Sequence, residues 1–231
     1  MPDETLQSRS RTLLDSALVA LGLSALALTA LLVTREFVVP GRADPIPPMP
    51  ISQWRLLTGE GRWIGPVQAP VVILAFSDFE CPACREFARD VRHLQRQHPG
   101  MLAVVFRNYP LERYPEARAA ATAAECAGRA DRFEAYHDAL FASRTAVSKR
   151  AWTELARNIG LSDSVMFRTC LADSAVDSRI ARDIRTAESL GISGTPLLFI
   201  NGRRFEGRVS KALLAQLIER AARRQQAPGG D

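Results

Sequence analysis

A chain of 231 residues, 47% hydrophobic and 24% charged, is long enough for one ordinary domain with its own core and some appendages. The formal net charge of +5 comes almost wholly from arginines scattered along helical stretches among Glu and Asp. A nucleic-acid binder gathers its basic residues into a patch with aromatics, so no nucleic-acid partner is expected.

The first element is Ser16 to Thr34, SALVALGLSALALTALLVT, without a charge and bracketed by Asp15 and Arg35. As a helix it spans roughly 28 Å, close to a bilayer's hydrocarbon core. We read 16–34 as a transmembrane anchor and 1–15 as a short cytoplasmic tail. A cleaved signal peptide is the alternative, since Ala25-Leu26-Ala27 is a small-x-small site, although Leu28 to Val33 stay apolar beyond it. Either reading sends the rest of the chain out of the cytoplasm. Arg9 and Arg11 on one side balance Arg35 and Arg42 on the other, so charge alone does not orient the segment.

Seven of the 14 prolines fall between Pro40 and Pro70, and residues 35–62 read as an extended, semi-rigid linker. Beyond it, Val71 to Phe76 is a continuous apolar run rich in β-branched residues, the pattern of a strand buried on both faces. Two cysteines three apart follow, then a helix with Ala83, Cys84, Phe87, Ala88, Val91 and Leu94 at spacings of three and four. Pro82 suits its first turn, where a missing N–H costs nothing. His98-Pro99-Gly100 ends it, and Met101 to Phe106 is a second buried strand. Strand, helix, strand in this order predicts a parallel pair. Glu116 to Leu190 is helical in pattern throughout. Leu197 to Ile200 and Arg203 to Glu206 form a hairpin about Asn201-Gly202. Ser210 caps a last helix running to about Arg224, and 225–231 reads as a flexible tail.

Cys81 and Cys84 admit three readings. Zinc needs four ligands, and His93, His98 and His137 are not in ligand spacing with the pair, so no metal is expected. A structural bridge with so short a loop constrains little. The third reading is redox exchange. Cys81 sits where strand meets helix, and the unpaired N–H groups and dipole there favour a thiolate. Cys84 lies one turn on, about 60° round the helix, so the two sulfurs can meet. Cys81 is then the exposed nucleophile and Cys84 the buried resolving thiol.

APVVILAFSDFECPACREF, followed much later by GISGTPLLFINGRR, resembles the DsbA-like thiol-disulfide oxidoreductase branch of the thioredoxin superfamily. The likeness covers roughly Trp63 to Arg220. It implies an α/β, thioredoxin-like fold (βαβ…ββα) over 63–224, with a helical insertion at about 112–190, preceded by the transmembrane helix. It implies catalysis by Cys81 and Cys84 as a redox-active disulfide, and a cis Pro196 facing them. The Thr195 backbone would pair with an extended substrate. It also implies a second, structural disulfide between Cys126 and Cys170, consistent with an even cysteine count outside the cytoplasm. No cofactor is expected, because the cysteine pair carries the electrons. The expected partners are cysteine-containing proteins and a membrane redox protein, either a quinone-linked oxidase or an electron donor. Oxidation is the expected direction. A reductase or isomerase, or a non-enzymatic binding or metal-delivery module, remains open.

This chain departs from the family in places. Ala75 stands where the thioredoxin branch has a buried acid, and Ala83 where DsbA has a His, which argues against a strongly oxidising pair. Asp78 reads as structural or solvated, and Glu80 would oppose the thiolate if close to it. Arg85 is a partial substitute for the missing cation. His137 and Trp152 read as packed helix residues. Trp54 and Trp63 read as packing or membrane-surface residues.

Overall fold

A computed structural model describes Ser24 and residues 50–143, 149–161 and 164–226. The chain divides into two compact units, Met1–Asp44 and Pro45–Asp231. The expected tail over 1–15 and all of the expected anchor over 16–34 except Ser24 lie outside the described residues, as does the linker as far as residue 49. Among the described residues no helix is long and apolar enough to cross a membrane.

The second unit opens with α1 (Ile51–Gly59) and β1 (Arg62–Ile64). The linker expected over 35–62 therefore gives way from Ile51 onward, because Leu57 and Ile64 bury themselves against the domain. Then follow β2 (Val71–Ser77), α2 (Pro82–Gln97) and β3 (Leu102–Asn108). The helical block is α3 (Ala117–Gly128), α4 (Phe133–Ala142), α5 (Lys149–Asn158), α6 (Ser164–Cys170) and α7 (Ser174–Ser189). β4 (Leu197–Ile200), β5 (Arg203–Glu206) and α8 (Lys211–Gln226) complete the unit, the last reaching two residues into the expected tail.

The sheet order is β1-β3-β2-β4-β5. β2 and β3 are parallel, as the helical crossover between them requires. β1 pairs antiparallel with β3, β4 with β2, and β5 with β4. Alternation along β2 explains its unbroken apolar run. Ile73 and Ala75 join the core that holds α2, the helical block and α8, while Leu74 and Phe76 join a second core with Leu57 and Ala187 on the opposite face. On α2 the residues Cys84, Phe87, Val91 and Leu94 are buried, each apolar side chain contributing roughly 1.5–3 kcal/mol.

Two devices fix the site's frame. At the hairpin, Asn201 and Gly202 have φ of 47° and 83°, the left-handed pair that a two-residue turn demands. The Asn201 side chain accepts from the Val72 N–H at 2.8 Å and donates to the Pro70 carbonyl at 3.1 Å, tying β4 to the start of β2. At the far end of β3, fully buried Arg107 donates to Asp183 of α7. The Asn108 side chain donates to Glu125 of α3 at 2.9 Å. Arg62 closes on the same Glu125 at 2.7 Å. The charged groups and the Asn108 side-chain N–H groups pair with one another, while the Asn108 side-chain oxygen is buried without a partner, and removing one member of a pair strands the other. They lock the helical block to the sheet.

Candidate active site

Cys81 is the residue before the first turn of α2, extended at φ −69° and ψ 122°, with Pro82 opening the helix. Its N–H donates to the Asp78 carbonyl at 3.2 Å, and its carbonyl accepts from the Arg85 N–H at 3.1 Å. The strand-to-helix junction thus aims its sulfur across the helix end. Cys84 is 0% exposed, facing Ala75 and Ser77 from the next turn.

The expectation that Cys81 is exposed is corrected: it is 3% exposed. The Thr195–Pro196 segment covers it. The Thr195–Pro196 peptide is cis, and the Cys81 thiol donates to the Thr195 carbonyl at 3.4 Å. The four sequence-predicted residues Cys81, Cys84, Thr195 and Pro196 are therefore brought together from two halves of the fold. Both Cys81 and Cys84 are free thiols here.

Their acidities are driven apart. Cys81 is lowered from 9.0 to about 5, first by a hydrogen bond from the Cys84 side chain. The Thr195 side chain and the N–H groups of Cys84 and Ala83 add to this against the cost of burial. The Thr195 hydroxyl has no other partner, so it is available to the thiolate. Cys84 is pushed well above the ordinary thiol range by burial, and secondly by donating to Cys81. The helix end and Cys84 therefore depress Cys81 without a His at position 83.

Asp78 is 1% exposed. Its carboxylate accepts from the Glu80 N–H at 2.8 Å and the Leu111 N–H at 2.7 Å, which shapes the loop entering α2. Burial raises it to about 6, with smaller contributions from Cys81 and Glu80. Glu80 turns away from the sulfur, accepting from the Glu116 N–H at 2.8 Å at the start of α3. The expected opposition to the thiolate is thereby reduced.

Arg113, exposed on the loop after β3, lies over the Tyr114 ring at 5.0 Å. His137 is buried in an aromatic cage with Phe79, Phe106 and Phe141, as its packed reading expects. Trp152 is 2% exposed, and Trp54 and Trp63 pack against the second core.

Cys126 and Cys170 are bonded, with Cα atoms 5.7 Å apart, joining α3 to α6. Among the described residues no group of three His, Cys, Asp or Glu is placed to hold a metal ion.

The family described as thioredoxin matches residues 57–220. Among curated proteins, the Na(+)/H(+) antiporter NhaA 3 of Salinispora tropica is 36% identical over 168 residues, which is 72% of this chain and 26% of the antiporter. The NhaA 1 antiporter of Mycolicibacterium gilvum is 29% identical over 160 residues, 67% of this chain and 25% of the antiporter. The chain thus spans about a quarter of the length of the curated relatives it matches. Among solved structures, a thioredoxin-like oxidoreductase from Silicibacter pomeroyi is similar at 26% identity and a TM-score of 0.64, over 73% of this chain and 97% of that one. The thiol-disulfide exchange protein alpha-DsbA2 of Wolbachia pipientis shares the fold at 22% identity and a TM-score of 0.65, over 74% and 92%. BdbD of Bacillus subtilis does so at 21% and 0.63, over 71% and 94%.

Proposed function

The chain belongs to the thioredoxin family, and we propose that it is a DsbA-type thiol-disulfide oxidoreductase that forms disulfides in proteins outside the cytoplasm. The observation carrying this reading is the sulfur of Cys81, held at the α2 end against Thr195 with a thiolate favoured down to about pH 5. Stabilising the reduced form makes the disulfide form a better oxidant.

In the oxidised state Cys81 and Cys84 share a disulfide. A client thiolate attacks the Cys81 sulfur, the Cys81–Cys84 bond breaks, and Cys84 leaves and takes a proton. The client's second thiolate then attacks the mixed disulfide at the client sulfur, and Cys81 leaves as a thiolate. The client has lost two electrons and the pair has gained them. Cys81 is a good leaving group because its thiolate is stable. The Thr195 backbone pairs with the extended client beside Pro196. A membrane redox protein, reduced in turn, restores the Cys81–Cys84 disulfide.

Two features support the location. A Cys126–Cys170 bond is the kind that persists in oxidising compartments, and the apolar stretch 16–34 suits an anchor. The antiporter relatives fit a domain that works at a membrane.

The test is oxidative refolding of a reduced client by the full chain, run beside insulin reduction. Faster client oxidation that disappears in Cys81→Ser supports the proposal. Insulin reduction without client oxidation would reverse the direction, and no activity in either assay would leave a binding module.

A further inference from the structure

One surface beside the site is not used by disulfide exchange itself. An open groove of about 730 Å³ begins at Pro82, between the two cysteines, and runs along α2. Arg85, Arg89, Arg92 and Arg96 line it, with Phe141, Ala142 and Asp138 of α4 and its end on the far side. At 100° and 1.5 Å per residue these four arginines fall within about 60° of arc and span about 17 Å. Arginines four apart on one helix face repel one another, so helix stability does not explain the stripe.

The local acids do not neutralise it. Asp138 and Glu134 both pair with Arg92, and Glu86 pairs with Arg208. Arg85, Arg89 and Arg96 have no ion pair among the described residues. The Arg85 Nε is also buried without a hydrogen-bond partner. Three guanidinium groups without an ion pair along a concave groove favour an anionic occupant. The groove is concave with an apolar wall, and a flat headgroup layer would not fill it.

Building on the disulfide-exchange reading, we propose that this groove receives an acidic segment of the client polypeptide, next to the cysteine that docks at Cys81. About five extended residues would cover the stripe. Asp or Glu side chains would pair with Arg85, Arg89 and Arg96. The site would then select clients whose reacting cysteine has acidic neighbours.

The test uses the full chain in neutral detergent and three reduced two-cysteine peptides that differ only in flanks of Glu, Gln or Lys. At low salt the Glu peptide should be oxidised about tenfold faster than the Gln peptide, and the Lys peptide more slowly still. Added salt should close the gap. Arg89→Glu/Arg96→Glu, both exposed, should abolish the preference while leaving the Gln peptide's rate unchanged. Equal rates for all three peptides, or a preference that survives the double variant, would overturn the proposal. If no peptide is oxidised, the oxidase reading falls, and fluorescence anisotropy of a cysteine-free Glu peptide decides the groove separately. Binding lost in the double variant upholds it, and no binding overturns it. Arginine-dependent binding to phosphatidylserine vesicles, with no peptide binding, would also overturn it.

Discussion

The two cysteine pairs of this chain obey opposite rules. Cys81 and Cys84 are three residues apart on one helix end, so bonding them closes almost no loop, and in this structure they are free thiols. Cys126 and Cys170 are separated by 44 positions and bonded, inside a helical block where both are buried. The first pair gains little for folding, and its environment splits the two acidities widely. The second does not titrate and contributes through the unfolded chain it constrains, roughly 4 kcal/mol at most by loop entropy. On the proposed reading, electrochemistry and stability fall to different sulfurs.

The largest effect that would break this contrast is on turnover. Cys81→Ser should reduce disulfide exchange to background, while Cys126→Ser/Cys170→Ser should leave the rate per folded molecule unchanged. Cys84→Ala mixed with a client that already carries a disulfide should accumulate covalent adducts on Cys81, visible on a non-reducing gel, because Cys81 attacks that disulfide, one client thiolate leaves, and no Cys84 thiol remains to displace the client still bound. Adducts appearing instead in Cys81→Ala would exchange the two roles.

Stability should respond in the reverse order. Cys126→Ser/Cys170→Ser should lose about 2–4 kcal/mol in denaturant titration, equivalent to about 5–15 °C in Tm for a domain of this size. Cys81→Ser should not weaken the reduced fold to that degree. A double variant as stable as the parent would show that the buried polar hub around Arg107 and Asp183 already holds the block in place.

A third effect sharpens the contrast in acidity. Alkylation of the reduced chain should have its midpoint near pH 5, and Cys84→Ala should move it toward 9.0, because the Cys84 thiol is the first cause of the depression. The sign for stability follows. A thiol lowered on folding adds stability to the reduced chain that is full above about pH 9 and vanishes as pH falls through about 5. The oxidised chain lacks this dependence. Paired urea titrations across that window should therefore separate the two forms with rising pH.

Much of this site was legible in the chain. The apolar run of β2, the amphipathic α2 and the Asn201-Gly202 turn each carry a local period or turn chemistry, so they and the cysteine junction could be read directly. The Cys126–Cys170 pairing and cis Pro196 came from family likeness. What escaped was non-local. The three residues of β1 are too short for periodicity and follow a proline-rich stretch, so no strand is read there and Arg62 falls at the end of the expected linker. Arg107, Asp183, Asn108 and Glu125 look like surface residues until the fold buries them against one another. Cover over Cys81 comes from Thr195, 114 residues away.

The smallest effect concerns Asp78, whose behaviour runs against that of Cys81. Burial raises it to about 6, so its contribution to stability falls as pH climbs from 3.8 through about 6. Its charge and that of Cys81 each disfavour the other, and such coupling is reciprocal. The Cys81 alkylation curve should therefore be broadened around pH 6, where ionising Asp78 makes the thiol less acidic. Asp78→Asn removes the charge while keeping one carbonyl acceptor, so the midpoint should drop by a fraction of a unit and the curve should sharpen. One of the two backbone donors, Glu80 N–H or Leu111 N–H, loses its partner, and amide exchange in that loop should quicken. A midpoint that rises instead would mean that Asp78 acts on Cys81 chiefly by holding the loop in place, with its charge a minor influence on the sulfur.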